Sequence, residues 1–317
     1  MNSEQCNRMT DVTSLIAVAS HRDVSMNRMA VAICSILAAK ISTSETSTLG
    51  AKPVYMETLL QVVRSKVQGC QGQAAAAAPG APPAAGDQEP DIMLKFTLSA
   101  LWNLTDESPS TCSMFLEKGG IDLYLDVIRF YKGLPSVEMK VLGLLNNIAE
   151  VPALRSALLQ PHFIMCLRDL LSSPSIDVSY FAAGIFAHLM SDQDCWHSCS
   201  HLPRDQISDQ LVSVVLNWKS PDNEMVAYRS FNPFLPLMRC DSAPEVQLWA
   251  IWAIHHVCSK NSSRYCDMLL QPETLSLFNA MMRSAKEKNR RVIHEYCQMT
   301  VHVLSQSYPH LAHRFVQ

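Results

Sequence analysis

A six-residue pattern recurs five times along the chain and limits what it can fold into. Each copy has any residue, a small or apolar one, an apolar one, any residue, a polar one and an apolar one. The polar positions of the middle copies are 44 residues apart (103 to 147) and 41 apart (147 to 188), within the period of about 40–47 residues of armadillo and HEAT repeats. The copies are VAICSI at 31–36, SALWNL at 99–104, GLLNNI at 143–148, GIFAHL at 184–189 and WAIHHV at 252–257.

The two outer intervals are longer, 68 residues each (35 to 103 and 188 to 256), and each contains extra sequence. The first includes residues 68–91, which are rich in Ala, Pro, Gly and Gln and offer little to a core, so we predict a disordered insert there. The second is predicted to hold an additional helical pair, roughly at 205–230.

Between these features, apolar residues recur at steps of three and four and are interrupted by Pro, Gly, Ser and Asp, which predicts helices. Short helical units cannot bury their apolar faces alone, so they stack on their neighbours. We therefore predict an all-α, armadillo/HEAT-like right-handed superhelical solenoid whose last helix in each unit lines the concave side. The predicted divisions are an N-terminal extension or incomplete repeat at 1–21, a first repeat at 22–67, the insert at 68–91, and repeats with a C-terminal cap at 92–317.

Composition narrows the function classes. A formal net charge of −3 provides no general attraction for nucleic acid or for an anionic membrane. The 11 cysteines mostly lie within apolar helical patterns, as expected of buried thiols in a reducing compartment. No apolar run approaches the roughly 20 residues that span a bilayer, and no secretory leader is evident. These features predict a cytoplasmic or nuclear protein without a cofactor.

Equivalent polar residues lie on two successive apolar helices. Asn103 and Asn147 hold the fifth position of their copies, and three residues later the same helices carry Asp106 and Glu150, with Trp102 beside the first Asn. A step of three places each Asn and its acid on one helical face. Amide groups can pair with the main chain of an extended peptide, and two converging carboxylates attract an ammonium group. A purely structural alternative stays open, because Asn at this position can bond the backbone of the adjacent repeat and the acids can simply be solvated.

Six long segments of the chain have uncommon sequences. They are ICSILAAKIST (33–43), LKFTLSALWNLTDESPSTC (94–112), VLGLLNNIAEV (141–151), DVSYFAAGIFAHL (177–189), EMVAYRSFNPF (224–234) and VQLWAIWAIHHVCSKNSSRYC (246–266). These segments closely resemble the C-terminal armadillo-like domain of the Zyg-eleven family and the related Zer-one proteins, which are substrate receptors of cullin-RING ubiquitin ligases. The resemblance extends over most of the chain from about residue 22.

The resemblance implies a non-catalytic adaptor that binds N-terminal glycine degrons, with proteins bearing a free N-terminal glycine and cullin-RING components as partners. In the family, a Trp-Asn-x-x-Asp helix and an Asn-x-x-Glu helix hold the ammonium group. Those elements correspond to Trp102, Asn103 and Asp106, and to Asn147 and Glu150. Later peptide positions are expected to meet Tyr180, His188 and Tyr228.

One departure concerns the ligase. Family receptors carry a cullin-binding segment and leucine-rich repeats before this domain, and no leucine-rich period precedes residue 22 here. Substrate binding is therefore expected of these 317 residues, whereas recruitment to the ligase would need a region that they do not contain.

Other functions receive weaker support. The run DCWHSCSH offers Cys195, His197, Cys199 and His201, but lacks the two separated ligand pairs of typical zinc sites. No phosphate loop, nucleophile elbow or metalloprotease motif is present. Two alternatives remain: an armadillo cargo receptor that binds internal extended peptides, and a scaffold without a peptide site.

Overall fold

The regular secondary structure of the described residues is entirely helical. The computed structural model describes residues 14, 16–18, 23–50, 52–76, 90–197 and 203–310. The chain divides into two compact units, residues 1–158 and 159–317.

Unit 1 is a stack of helices in three columns. Helix α4 packs on α1 and on α7, α5 packs on α2, and α6 packs on α3, so equivalent helices of successive repeats lie on one another. The elements are α1 Val24–Ala38, α2 Thr43–Gly50, α3 Pro53–Ala76, α4 Ile92–Thr105, α5 Pro109–Glu117, α6 Gly120–Phe130, α7 Pro135–Glu150 and a 3-10 helix at Pro152–Leu158.

Unit 2 repeats this design with larger aromatic side chains in its core. Helix α13 packs on α9 and on α16, and α12 packs on α15. The elements are α8 Pro161–Leu171, α9 Ile176–Met190, α10 Gln193–His197, α11 Arg204–Asn217, a 3-10 helix at Asn232–Phe234, α12 Leu235–Arg239, α13 Pro244–Lys260, α14 Ser262–Leu269, α15 Pro272–Glu287 and α16 Arg291–Ser307.

The recurring six-residue pattern identifies the stacked helices. Its copies lie on α1, α4 and α7 in unit 1 and on α9 and α13 in unit 2. Helices α4, α7, α9 and α13 bury the apolar positions of the pattern, whereas Ile33 and Ile36 of α1 are 43% and 56% exposed. The predicted all-α solenoid class is confirmed.

Two segments differ from expectation. Helix α3 continues to Ala76, across the predicted boundary at 67/68, while 77–89 lie outside the described residues. Extending an existing helix avoids the cost of nucleation, and alanine has the highest helix propensity. In the predicted helical pair at 205–230, only α11 forms.

Residues 218–231 are irregular instead of helical. Pro221 breaks the pattern, and the segment is hydrogen-bonded to the neighbouring helices. The N–H of Met225 donates to Nε2 of His256 at 3.4 Å, and Arg264 donates to the carbonyl oxygen of Tyr228 at 2.6 Å.

Candidate functional site

Five of the predicted site residues lie together at the C-terminal ends of α4 and α7 in unit 1. Trp102 and Asn103 are in the last turn of α4, and Asp106 follows its last residue as the C-cap. Asn147 and Glu150 are in the last turn of α7. Since α4 packs directly on α7, the repeat spacing inferred from the sequence becomes a spatial neighbourhood.

The two Asn side chains tie successive helices together. Asn103 donates from Nδ2 to the carbonyl oxygen of Ser35 on α1 at 3.0 Å. Asn147 donates from Nδ2 to the carbonyl oxygen of Trp102 at 3.1 Å and to Oγ1 of Thr105 at 3.0 Å. The structural role considered for these residues is therefore present. Their amide oxygens, each with two lone pairs, are the atoms that could accept from a bound peptide.

Trp102 lies against the backbone of α7 at Gly143. A Cβ atom at position 143 would be 2.4 Å from Cε2 of Trp102, far inside van der Waals contact. Glycine is thus required there for the indole to reach its place. A glycine inside an otherwise apolar helix indicates such a close approach, but the sequence does not say which side chain makes it.

Three carboxylates converge beside these helix ends. The pKa of Glu150 is raised well above its usual range by burial, and further by the negative charges of Asp106 and Glu107. Asn146, which donates to Oε1 of Glu150 at 2.8 Å, and the positive charge of Arg155 act in the opposite direction. The carboxylates therefore lie within electrostatic reach of one another.

A fourth group, the thiol of Cys112, is affected by the same negative charges. The pKa of the Cys112 thiol is raised, first by burial and then by the charges of Glu150 and Asp106. The helices add to this field, since the C-terminal end of an α-helix carries a partial negative charge. The place is suited to a cation.

Several site residues were not identified from the sequence. Glu107 follows α4 in a left-handed conformation, with φ of 49°. Arg155 is buried in the 3-10 helix and donates from Nε to the carbonyl oxygen of Ala149 at 2.7 Å. Asn146 could have been found, because it precedes Glu150 by four residues and so shares its helical face.

The other predicted residues, Tyr180, His188 and Tyr228, lie in the core of unit 2. Their exposed fractions are 2%, 1% and 7%. The hydroxyl groups of the two tyrosines are hydrogen-bonded to each other, and the imidazole packs edge-on against Trp249 with ring centroids 6.0 Å apart. Burial makes them packing residues in this structure, so the candidate site is limited to unit 1.

His256, the fifth pattern residue, is also structural. It is buried, its Nδ1 is 3.2 Å from Oγ of Ser220, and its ring stacks on Trp252. Burial, with the charges of Lys260 and His255, lowers its pKa to about 4, so the ring is neutral at physiological pH.

The described ranges were compared with the requirements of a metal site and of a membrane-spanning helix. Within these ranges, no group of three or more His, Cys, Asp or Glu side chains could hold a metal ion. Cys199 and His201 of the DCWHSCSH run lie outside these ranges. No helix among them is long and apolar enough to cross a bilayer.

The chain is similar to known proteins over most of its length. Residues 3–306 match the family model described as protein zer-1 homolog-like, C-terminal domain. The chain is 30% identical to Protein zer-1 homolog of Homo sapiens over 302 residues, which is 92% of this chain and 37% of the relative. It is 31% identical to Zyg eleven-related protein 1 of Caenorhabditis elegans over 198 residues, 62% of this chain and 22% of that protein. The chain thus spans little more than a third of the human relative.

Solved structures give a weaker similarity. A designed armadillo repeat protein in complex with the peptide (KR)4 is 14% identical, with a TM-score of 0.46, and covers 95% of this chain and 100% of its own. A computationally designed armadillo repeat protein for modular peptide recognition is 13% identical, with a TM-score of 0.48, over 92% of this chain and 99% of its own.

Proposed function

We propose a function for this chain from its membership of the zer-1 homolog-like C-terminal domain family, to which it belongs. It is the substrate-recognition module of a cullin-RING ubiquitin ligase. In this proposal it binds polypeptides that begin with a free glycine, at the ends of α4 and α7, and performs no catalysis itself. Recruitment to the ligase is assigned to those parts of the longer relatives that this chain does not match.

The convergence of Asp106, Glu107 and Glu150 is the observation that carries this proposal. The pKa of Glu150 is raised first by burial and then by the negative charges of Asp106 and Glu107, so the ionised carboxylate is disfavoured in the empty site. A ligand ammonium group between the carboxylates would relieve their repulsion and form charge-assisted hydrogen bonds. The α-amine of a protein N-terminus supplies such a group at the end of an extended chain.

Selectivity for glycine would come from the indole of Trp102. From the last turn of α4, the helix that Asp106 caps, the indole packs against Gly143. If the first Cα of the peptide rests against this wall, a Cβ atom has no space, so only glycine is accepted. An acetylated N-terminus would lose the charge that the carboxylates bind.

The alternative is a site for a lysine side chain within an internal extended peptide, as in an armadillo cargo receptor. Such receptors use Trp and Asn four residues apart in consecutive helices, whereas Trp102 and Asn103 are adjacent. Both amide groups also donate within the stack, which favours recognition of a terminal group over binding along a peptide backbone.

Titration calorimetry with three peptides of otherwise identical sequence tests the proposal. One begins with free glycine, one with N-acetylglycine and one with free leucine. We expect affinity at least about tenfold lower for the other two than for the first. The acetylated peptide loses a charged contact, whereas the leucine side chain has no space beside the indole of Trp102. Equal affinity for all three would exclude N-terminal capture. Tight binding of an acetylated peptide with an internal lysine would favour the cargo receptor.

A further inference from the structure

Helix α1 of unit 1 exposes four large apolar side chains on one face. They are Met26, Met29, Ile33 and Ile36, and each is between 43% and 63% exposed. Their spacing of three, four and three residues places them in a single stripe along the helix, because an α-helix has 3.6 residues per turn. We call this surface the α1 stripe. Contiguous apolar patches on soluble proteins commonly mark interaction sites.

The equivalent positions on the next two stacked helices are buried. Aligning Ser35 with Asn103 and Asn147 relates α1 to α4 by 68 residues and to α7 by 112 (35 to 103, 35 to 147). None of the equivalent residues is more than 4% exposed: they are Leu94, Thr97, Leu101 and Leu104 on α4, and Glu138, Val141, Leu145 and Ile148 on α7. Helix α4 has α1 before it in the stack and α7 has α4, whereas α1 is the first stacked helix that the structure describes. The α1 stripe therefore continues the helix-to-helix interface of the stack.

The spacing of the α1 stripe also specifies the shape of its partner. Residues at steps of three and four alternately occupy the a and d positions of a heptad, which form the seam between two helices packed side by side. A narrow seam of this kind fits one further helix that has an apolar seam of its own. In the stack, α4 covers one side of α1 in the same way.

A second copy of this chain supplies such a helix through its own stripe. When the two α1 helices run antiparallel, Met26 of each copy lies opposite Ile36 of the other, and Met29 lies opposite Ile33, because the spacing is the same read from either end. Each contact then joins an unbranched, flexible methionine to a β-branched isoleucine, and methionine adapts readily to the shape of its neighbour. The stripe is therefore complementary to itself.

Charges at the two ends of α1 favour this antiparallel orientation. Asp23 is exposed at the start of the helix, where its Oδ1 accepts from the N–H groups of Ser25 and Met26. Lys40 is exposed directly after the C-cap residue at the other end. An antiparallel pair brings Asp23 of one copy near Lys40 of the other at both ends, and it places opposite ends of the helix dipoles together. A parallel pair would place Asp23 beside Asp23.

The last stacked helix that the structure describes in unit 2 offers no match for the α1 stripe. Helix α16 buries Ile293, Cys297, Thr300 and Leu304. Its exposed residues are polar apart from one methionine: Arg291, Glu295, Gln298, Met299, His302, Gln306 and Ser307. Head-to-tail association of copies through α1 and α16 is therefore disfavoured. Contact between two like faces, which closes at two copies, is favoured instead.

We propose that α1 is a self-association surface, through which two copies of this chain form an antiparallel pair of α1 helices about a twofold axis. The proposal does not depend on the proposed function, because it uses neither the carboxylates nor a peptide. A contact centred on one helix pair belongs at the small end of protein interfaces, which typically bury about 800 Å² per partner. We therefore expect a reversible dimer with a dissociation constant in the micromolar range.

The first experiment measures self-association of the full 317-residue chain by sedimentation velocity, with a thiol reductant present. The average mass should rise from that of one chain toward that of two as the protein concentration passes through the micromolar range. Met29→Glu/Ile36→Glu puts charge into the stripe, and we expect it to raise the dissociation constant at least about tenfold. Met29→Ala/Ile36→Ala, which shortens the side chains and keeps a high helix propensity, should weaken the dimer in the same direction.

The matched control is Ile92→Glu/Met299→Glu. It changes the same two residue types outside the stripe, where they are 52% and 43% exposed. We expect it to change the dissociation constant by less than about twofold, and urea denaturation checks that each variant is folded. A wild type that stays monomeric well above micromolar concentration, or equal losses in the two glutamate variants, would overturn the proposal.

The second experiment tests the orientation of the pair. Asp23→Asn removes the charge and keeps the helix cap, because Asn is as favourable as Asp at this position. In an antiparallel dimer this variant and Lys40→Gln each lose an attraction at both ends, so each should raise the dissociation constant by about two- to fivefold at low salt. Association of Asp23→Asn that is tighter than, or equal to, that of the wild type would overturn the antiparallel arrangement.

Discussion

Asn147 of α7 donates a hydrogen bond from Nδ2 to the carbonyl oxygen of Trp102 on α4, with the two atoms 3.1 Å apart. This bond joins the polar position of one repeat to the residue that walls the candidate site in the preceding repeat. Site geometry and solenoid packing therefore depend on the same side chain.

Replacing Asn147 with alanine should destabilise the protein. The buried amide satisfies Trp102 and Thr105 of α4, so its removal leaves buried polar groups with fewer partners. We expect the free energy of unfolding to fall by about 1–3 kcal/mol in urea denaturation. Asn217→Ala is the control, because that side chain is exposed and bonds within its own helix, and it should change stability by less than about 0.5 kcal/mol. Equal effects would remove the special role of Asn147.

Gly143→Ala should displace Trp102. The added Cβ would be 2.4 Å from the indole, and overpacking of this kind costs about 1–3 kcal/mol of stability. Binding of the glycine peptide should weaken with it. Gly69→Ala is the matched change in α3, where nothing lies within 4 Å of the new atom, and it should stabilise the protein by about 0.5–1 kcal/mol. A Gly143→Ala variant with unchanged stability and binding would show that the indole contact is not required.

Substituting either acid should weaken binding of the glycine peptide. For Asp106→Asn or Glu150→Gln we expect a loss of about 1.5–3 kcal/mol in binding free energy, the contribution of a charged hydrogen bond. Glu117→Gln on α5 is the control, since this exposed acid contacts Ser113 in its own helix. Calorimetry that finds losses below a few tenths of a kcal/mol would show that the acids are merely solvated.

Glu150 should also make stability depend on pH. Its folded-state pKa lies above the unfolded value, so the folded state binds more protons between those two values, and stability falls as pH rises through this window. The Glu150→Gln variant lacks this loss. It should therefore be more stable than the wild type at pH 8, with the difference shrinking toward pH 4, near the unfolded pKa of about 4.3.

Urea denaturation of both proteins across this range provides the measurement. Peptide binding responds in the opposite sense, because an ammonium ligand favours the ionised carboxylate, so affinity should decline as pH falls. A stability difference between the two proteins that does not change with pH would mean that Glu150 has the same pKa in both states.

Much of unit 1 follows from spacing alone. The six-residue pattern predicts the stacked helices because equivalent faces must meet equivalent neighbours, and a step of three places Asn147 and Glu150 on one face. Glu107 could not be predicted in the same way. It reaches the carboxylate cluster only because the chain turns through a left-handed residue after α4, and helical periodicity contains no information about that turn.

The hydrogen-bond partners of the buried polar groups could not be predicted from the sequence either. Tyr180 and Tyr228 were expected to meet later positions of a bound peptide, yet they meet each other in the core of unit 2 because the irregular segment 218–231 packs onto neighbouring helices. Residues 48 apart along the chain come into contact only through that packing. Their burial is the reason that they are not part of the proposed site.

By itself, the sequence determined the helical class, the repeat period, the stacked helices and the grouping of Trp102, Asn103, Asp106, Asn147 and Glu150. These depend on periodicity, which is local. Tertiary structure decided that the Asn amide groups donate within the stack, that Gly143 receives the indole, and that the α1 stripe stays exposed. Those outcomes depend on the distances between helices, which the packing of whole side chains sets and which no single segment specifies.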